Sequence, residues 1–230
     1  MPRAGIGLGS RIVIIGLGYF GRALAQTSHE LGYEVLAIDV NERLVQDATR
    51  YTALAIQGDG TDEELLRGLQ VDRSDVGIVA LGTNLEASIL STMLLKKLGV
   101  RYLISKAKTD LHGDVLREIG ANRVVFPEHD EGVELAHALA VPSIDDYISL
   151  TPTAGVAKAT APASMVGKTL SQLLESAGAQ VSVLLIRRGS FMIATPSFNE
   201  RIEAGDDLIV SGPDVQIEQF MEGSERGSRG

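Results

Sequence analysis

One stretch of the chain, residues 11–39, constrains the fold more than any other. It reads RIVIIGLGYFGRALAQTSHELGYEVLAID, that is, an apolar run, a glycine-rich turn, a segment with helical spacing, a second apolar run and an aspartate. This order is typical of the βαβ unit that binds dinucleotides. We expect Gly16 to make the tight turn, Gly18 to let the backbone approach a phosphate, and Gly21 to let the helix pack closely on the strand.

A GxGxxG pattern alone is a weak signal, and the chain contains a second alternation of glycines that shows why. Gly5, Gly7 and Gly9 also alternate, but no apolar run precedes them. We therefore interpret residues 1–10 as a flexible leader. For residues 11–39 the flanking strands and the closing acid favour nucleotide binding. The alternative is a Rossmann-like scaffold with an empty crevice.

Composition excludes several classes of protein. The 230 residues are 44% hydrophobic and 22% charged, which is typical of a soluble globular protein. No apolar run approaches the ~20 residues of a membrane span, and no signal-peptide pattern is present, so a cytoplasmic location is expected. There is no cysteine, which excludes disulfides and thiolate metal sites. The formal net charge of −9 argues against nucleic acid as a partner.

Six apolar segments alternate with helical patterns along the first 130 residues. This alternation predicts an α/β fold with a Rossmann, doubly wound parallel sheet over residues 11–140. The predicted strands are Arg11 to Ile15, Glu34 to Ile38, Leu54 to Gln57, Val76 to Leu81, Tyr102 to Ser105 and Arg123 to Phe126.

Ligands of such a sheet bind beyond the carboxyl ends of its strands. The residues at those ends form the predicted nucleotide site: Gly16, Leu17, Gly18, Tyr19, Phe20, Gly21, Asp39, Val40, Asn41, Asp59, Gly60, Thr83, Asn84, Lys106 and Glu128. Asp39 and Asp59 are suited to a ribose or an adenine amine, and Lys106 to a phosphate. For Asp59, Thr83 and Asn84 the alternative of solvated loop groups stays open. Asp39 also disfavours NADP, because its carboxylate would face the 2′-phosphate.

The pattern changes beyond residue 140. Residues 141–154 contain two prolines and mixed polarity, which predicts a connector. Residues 155–222 carry short strands and two helices, and so predict a small α+β domain, while residues 223–230 are expected to be disordered. The preceding helical segment, Glu131 to Ala140, has an apolar side. This apolar side could form a dimer surface or pack within its own domain, and the sequence does not decide between these two roles.

Seven motifs together resemble the RCK family, the regulators of potassium conductance. In chain order they are GLGYFG, LAIDVN, GDGTDEELLRGL, LGTNLEAS, ISKAK, IGANRVVFPEHDEG and GDDLIVSG. The resemblance is to the cytosolic gating subunits of Ktr and Trk type and covers about Arg11 to Met221. It implies an RCK C-terminal subdomain over residues 155–222 and homodimers that assemble into rings, commonly octamers. Such rings dock on a membrane-embedded potassium-translocating subunit at the inner face of the membrane. The implied ligands are ATP, ADP or NAD(H), whose identity changes the conductance.

The resemblance also assigns roles to individual residues. Gly16, Gly18 and Gly21 match the phosphate loop, Asp39 the ribose acid, Lys106 a phosphate-contacting lysine, and Glu128 an acid that takes part in cation binding near the nucleotide in some members. In some relatives the C-terminal subdomain binds cyclic di-AMP. Arg187 and Arg188 could contact a phosphate of this ligand. The alternative is that both arginines are solvated charges of a hairpin.

One position departs from the family pattern. Ktr relatives often have an arginine, which reaches nucleotide phosphates, where this chain has Tyr19. Tyr19 cannot supply that charge, and we expect Arg22 to point in a different direction from the helix. A strong preference for a γ-phosphate is therefore not expected.

An NAD-dependent oxidoreductase is the alternative function, because the same βαβ unit serves both classes. A hydride-transfer enzyme needs a proton donor or acceptor near the nicotinamide, usually from its second domain. Residues 151–230 contain no histidine and no cysteine. The composition of the second part therefore favours a non-enzymatic regulator.

Overall fold

The computed structural model describes residues 7–140, 144–151, 153–177 and 180–222. Side-chain placement is described within these ranges except at residues 137, 138, 140, 176 and 177. The chain divides into two compact units, residues 1–128 and residues 129–230. The expected leader over residues 1–6 and the expected tail over 223–230 lie outside the described residues.

The first unit is a six-stranded parallel sheet with the strand order β3-β2-β1-β4-β5-β6. This is the doubly wound Rossmann order, which confirms the predicted fold. The strands are β1 (Arg11–Ile15), β2 (Glu34–Asp39), β3 (Leu54–Gln57), β4 (Val76–Val79), β5 (Tyr102–Lys106) and β6 (Arg123–Val125). The helices are α1 (Tyr19–Glu30), α2 (Glu42–Ala48), α3 (Glu63–Gly68), α4 (Leu85–Lys97) and α5 (Asp110–Glu118). Helix α6 (Pro127–Ala140) begins at the end of this unit, and its residues from 129 onward belong to the second unit. A short 3-10 helix covers Val71–Arg73.

Both faces of this sheet are covered, which explains why its central strands read as continuous apolar runs. Ile12 and Ile14 of β1 pack with residues of α1 and α2 in one core cluster. Val13 and Ile15 alternate to the other face and pack with residues of α3 and α4. The sheet therefore lies between two helical layers, which cover its faces and not the ends of its strands.

The second unit contains a five-stranded antiparallel sheet with the order β10-β9-β11-β8-β7. The strands are β7 (Ile144–Thr151), β8 (Ala154–Thr160), β9 (Ser182–Arg188), β10 (Phe191–Ala194) and β11 (Asp206–Pro213). Two helices, α7 (Leu170–Ala177) and α8 (Asp214–Met221), share its hydrophobic core. This small domain is the β-rich α+β subdomain that was predicted.

The structure corrects two local predictions. Residues 141–154 were predicted to be a connector, but strand β7 lies within them and pairs with β8. Its buried residues, Ile144 and Tyr147, are only two in eight, so the strand has little apolar signature. Residues 7–10 of the expected leader form a turn that is hydrogen-bonded to the start of β2 and the residues before it. Gly9 N–H donates to the Gly32 carbonyl, and Glu34 N–H donates to the Ser10 carbonyl.

Candidate functional site

The carboxyl ends of the parallel strands bring the predicted site residues to one edge of the first unit. Gly16 N–H donates to the Ile38 carbonyl at 2.8 Å, which fixes the glycine loop beside the end of β2. On the other side, Ala80 N–H donates to the Ile15 carbonyl at 2.8 Å, which aligns the end of β4. The register Val79↔Ser105 extends this edge to β5. The glycine loop thus lies at the centre of the edge.

Each glycine of the loop occupies a distinct environment. Gly16 has φ +100°, a backbone conformation that disfavours side chains. A Cβ on Gly21 would lie 1.9 Å from the Gly16 carbonyl oxygen, so only glycine allows α1 to pack this close to the loop. A Cβ on Gly18 would meet nothing within 4 Å. The backbone at Gly18 is therefore open to a ligand.

Helix α1 starts at this open position. Its N-cap is Gly18, which has no side chain, so the first-turn N–H groups have no intrahelical acceptor and no cap from this residue. Such a helix start carries a partial positive charge and favours an anion. The loop has the form that a phosphate site requires.

Asp39 has a second role that the sequence pattern did not reveal. Its Oδ2 accepts a hydrogen bond from Leu17 N–H at 2.6 Å, and its Oδ1 accepts one from Asn41 N–H at 2.8 Å. Asn41 in turn caps α2 by accepting from Arg43 N–H. Asp39 therefore ties the glycine loop to the end of β2, and Val40, beside it, is exposed. The aspartate that was expected to contact a ribose therefore also positions the glycine loop.

The remaining loop residues also have local structural roles. Asp59 Oδ1 accepts from both the N–H and the hydroxyl of Thr61 at 2.8 Å. Asn84 caps α4 by accepting from Ala87 N–H, and Thr83 is exposed next to it. Gly60 is buried, and a Cβ there would lie 2.3 Å from Ile15 Cγ2. Their contacts with a ligand stay predictions.

Lys106 is the buried cation of this edge. It is only 8% exposed, and its Nζ donates to Glu128 Oε1. The ammonium lies 5.7 Å from the centroid of the Phe20 ring, in the first turn of α1. The hydrogen bond from Lys106 holds the pKa of Glu128 below its ordinary value. Lys106, Phe20 and Glu128 thus meet at one point beside the glycine loop.

Gly82 is a residue of this cluster that the predicted site did not include. A Cβ on Gly82 would lie 3.1 Å from Lys106 Nζ. The glycine after β4 therefore leaves room for the lysine side chain. The sequence signal was present, since this glycine interrupts the segment at the end of an apolar strand.

The structure corrects the expected direction of Arg22. Its guanidinium carbon lies 5.4 Å from the centroid of the Tyr19 ring, in a cation–π arrangement. Helical side chains lean toward the N-terminus, and residues three apart share a face, so Arg22 reaches back over Tyr19. The guanidinium of Arg22 therefore lies over the exposed ring of Tyr19, and its positive charge is at the start of α1.

The cation role of Glu128 stays a prediction. Among the described residues no group of three or more histidine, cysteine, aspartate or glutamate side chains is arranged to hold a metal ion. The one carboxylate that the resemblance assigns to a cation is already bonded to Lys106.

Arg187 and Arg188 are also placed differently from both sequence alternatives. Arg187 forms an ion pair with Asp207, and Arg188 with Asp206, its cross-strand neighbour. Arg188 additionally contacts Glu203 at 2.8 Å and Glu200 at 3.3 Å. Both arginines form ion pairs within the sheet, although the Arg187 side chain is still half exposed. They give no support to a cyclic di-AMP site.

In the described parts of the chain, no helix is both long and apolar enough to cross a membrane.

Comparison with known proteins identifies two domains and several relatives. A TrkA-N domain model matches residues 12–127, and a TrkA-C domain model matches residues 157–222. The Ktr system potassium uptake protein C of Bacillus subtilis (strain 168) is 37% identical over 207 residues, 90% of this chain and 94% of that protein. The Ktr system potassium uptake protein A of Vibrio alginolyticus is 33% identical over 207 residues, again 90% and 94%.

Solved structures share the fold. The crystal structure of the GsuK RCK domain matches with a TM-score of 0.61 at 19% identity, covering 96% of this chain. The chain spans 49% of the length of that structure. The GsuK channel bound to NAD matches with a TM-score of 0.60 at 19% identity, covering 97% of this chain and 40% of that one.

Proposed function

The chain belongs to the family of Ktr-type potassium uptake proteins that carry a TrkA-N and a TrkA-C domain, and from this premise we propose that it is a nucleotide-sensing regulatory subunit. It binds an adenine nucleotide in the first unit and thereby gates a membrane-embedded potassium-translocating partner. The observation that carries the proposal is the convergence of an uncapped helix start, Asp39 and a buried Lys106 at one sheet edge.

The geometry supports a division of roles within the site. The N–H groups at the start of α1 and the ammonium of Lys106 bind phosphates, and Asp39 accepts hydrogen bonds from the ribose. ATP, ADP and NAD(H) all present these groups, whereas NADP would place its 2′-phosphate against Asp39. The guanidinium of Arg22, which lies over the Tyr19 ring, adds a positive charge beside the glycine loop.

Gating requires that the ligand bind two conformations with unequal affinity, because only that difference moves the equilibrium. A shift from mostly closed to mostly open needs about 5 kcal/mol of differential binding. Several identical sites in one assembly supply this sum more easily than one site does. The proposal therefore includes a homodimer and a ring of dimers, an octamer, at the cytoplasmic face of the membrane.

Helix α6 offers a surface for the dimer. Leu135 and Leu139 are four residues apart, so they share one side of the helix, and both are exposed within the single chain. Burial of two such leucines against a second copy would favour association. The mass of the purified chain in solution tests this part, and a monomer at micromolar concentration would contradict it.

The comparisons do not favour the oxidoreductase alternative. The relatives that match most of this chain are described as potassium uptake proteins. The second part of the sequence, residues 151–230, also lacks histidine and cysteine.

Replacement of Asp39 by alanine tests the nucleotide site. We expect the variant to bind ADP and NADH at least tenfold more weakly, because a carboxylate hydrogen bond to a ribose contributes on the order of 1.5 kcal/mol or more. Calorimetric titration measures both affinities.

Inorganic pyrophosphate separates the ribose contact from the loop contact, since Asp39 also holds Leu17 N–H. A ribose contact predicts a much smaller loss of affinity for pyrophosphate than for ADP. Unchanged ADP affinity would show that Asp39 does not face the ribose.

A further inference from the structure

The geometry points to a charge exchange at Lys106, in which the phosphate of a bound nucleotide displaces the carboxylate of Glu128, at the start of helix α6. The inference rests on the proposed function and concerns the regulation of the same site. It assigns to Glu128 the role of an internal competitor of the ligand's phosphate.

The two partners of this ion pair differ sharply in their surroundings. The Lys106 side chain is 10% exposed, whereas that of Glu128 is 73% exposed. A buried ammonium without an anionic partner is costly, so a charged Lys106 is more stable with a counter-ion beside it. The exposed carboxylate of Glu128 regains water when it leaves. Exchange of one anion for another therefore costs little on the Glu128 side.

The approach to Lys106 is restricted by its neighbours. The ring of Phe20 lies 5.7 Å from its ammonium, and the Gly82 backbone is so close that a Cβ there would be 3.1 Å away. Phe20 belongs to the first turn of α1, where the phosphate-binding N–H groups lie. An anion at that helix start and the Glu128 carboxylate therefore compete for the same ammonium group.

Glu128 is the second residue of α6, directly after Pro127. A carboxylate in the first turn is stabilised by the helix dipole, so Glu128 has a favourable place once Lys106 is withdrawn. The first compact unit also ends at Glu128. The exchange therefore reports phosphate occupancy to the residue at which the chain leaves the nucleotide-binding unit.

This role differs from the cation role that the family resemblance implied for Glu128. A cation ligand would strengthen phosphate binding in the presence of a divalent ion, whereas a competing carboxylate weakens it with or without one. Within the described residues, Glu128 belongs to no group of three or more histidine, cysteine, aspartate or glutamate side chains that could hold a metal ion.

The test is a double-mutant cycle with the full chain and ADP. Glu128→Gln keeps the size of the side chain, lies on an exposed position, and removes the charge. We expect it to tighten ADP binding about fivefold, the upper range for exposed ion pairs, because one partner of this pair is buried. In the Lys106→Gln background the same change is expected to alter ADP affinity by less than about twofold, since little remains to compete for. Glu131→Gln, an exposed charge change on the same helix, is the matched control and should leave ADP affinity within about twofold.

Calorimetry with EDTA and with Mg²⁺ decides among the outcomes. Tighter ADP binding of Glu128→Gln in both buffers, with unchanged binding of adenosine, would support the exchange. Unchanged or weaker ADP binding, a loss confined to Mg²⁺, or an equal gain in the Lys106→Gln background would overturn it. Absence of ADP binding to the wild-type chain would instead overturn the proposed function together with this inference.

Discussion

Replacing Arg188 with methionine is expected to destabilise the second unit by about 3 kcal/mol, because it leaves the buried Asp206 carboxylate with no cation and only the hydrogen bond from Glu203 N–H. The Asp206 side chain is fully buried, and both of its oxygens accept from the Arg188 guanidinium, at 2.8 and 2.9 Å. Methionine retains much of the length of the side chain, so the loss of charge dominates the effect.

Two further arginines provide matched controls. Arg187→Met removes a half-exposed guanidinium beside Asp207 and should cost less than Arg188→Met. Arg67→Met breaks an exposed pair with Glu63, so its cost should be much smaller than that of Arg188→Met. Urea unfolding, with hydrogen exchange of the β9 and β11 amides as a local readout, measures the differences. Equal destabilisation by all three changes would contradict the structural role of the buried pair.

The same pair predicts a pH dependence. The hydrogen bond from Arg188 holds the pKa of Asp206 below its ordinary value. An acid with a depressed folded pKa contributes stability that is fully present above the unfolded value, near 4, and is lost as the pH falls through the folded value. The stability difference between wild type and Arg188→Met should therefore shrink as the pH falls below about 4.

Replacing Gly21 with alanine is expected to abolish nucleotide binding and to destabilise the first unit by about 2 kcal/mol, within the range of overpacking in a close-packed site. The added Cβ would lie 1.9 Å from the Gly16 carbonyl oxygen and 3.1 Å from the Ala80 Cβ. The nearest obstacle is backbone, so no side-chain rotation relieves it. Helix α1 must move away from the loop, and its first-turn N–H groups move with it.

Two other glycines separate the effect on the fold from the effect on the site. Gly68→Ala, at the end of α3, meets no atom within 4 Å and should leave both stability and binding unchanged. Gly18→Ala also meets no protein atom, so the fold should stay intact while ADP binding weakens, because the Cβ occupies the space of the ligand. Thermal unfolding and ADP titration are measured for all three variants. ADP binding by Gly21→Ala at wild-type affinity would contradict the site's placement.

The first unit was predictable from sequence because its signals are local. Buried parallel strands produce apolar runs, and β1 and β3 begin and end where the runs do. Glycines at the turns, and acids or amides before the helices, mark most of the remaining boundaries, as Asp62 does for α3. The doubly wound order follows from the alternation of these elements.

The rest depends on pairing between residues that are distant in sequence. Strand β7 is recognisable only through its partner β8, because most of its side chains are exposed. The ion pairs of Arg187 and Arg188 join residues about 20 positions apart, which no short-range pattern specifies. Asp39 was expected at a ribose, but its bond to Leu17 N–H becomes visible only when β1 and β2 lie side by side.

Titration of the purified wild-type chain with ADP and NADH by calorimetry tests the central claim most directly. The proposed function predicts saturable binding of both ligands, one per chain, with ADP binding lost in Gly21→Ala and weakened in Asp39→Ala. Failure of every adenine nucleotide to bind the folded chain would contradict it.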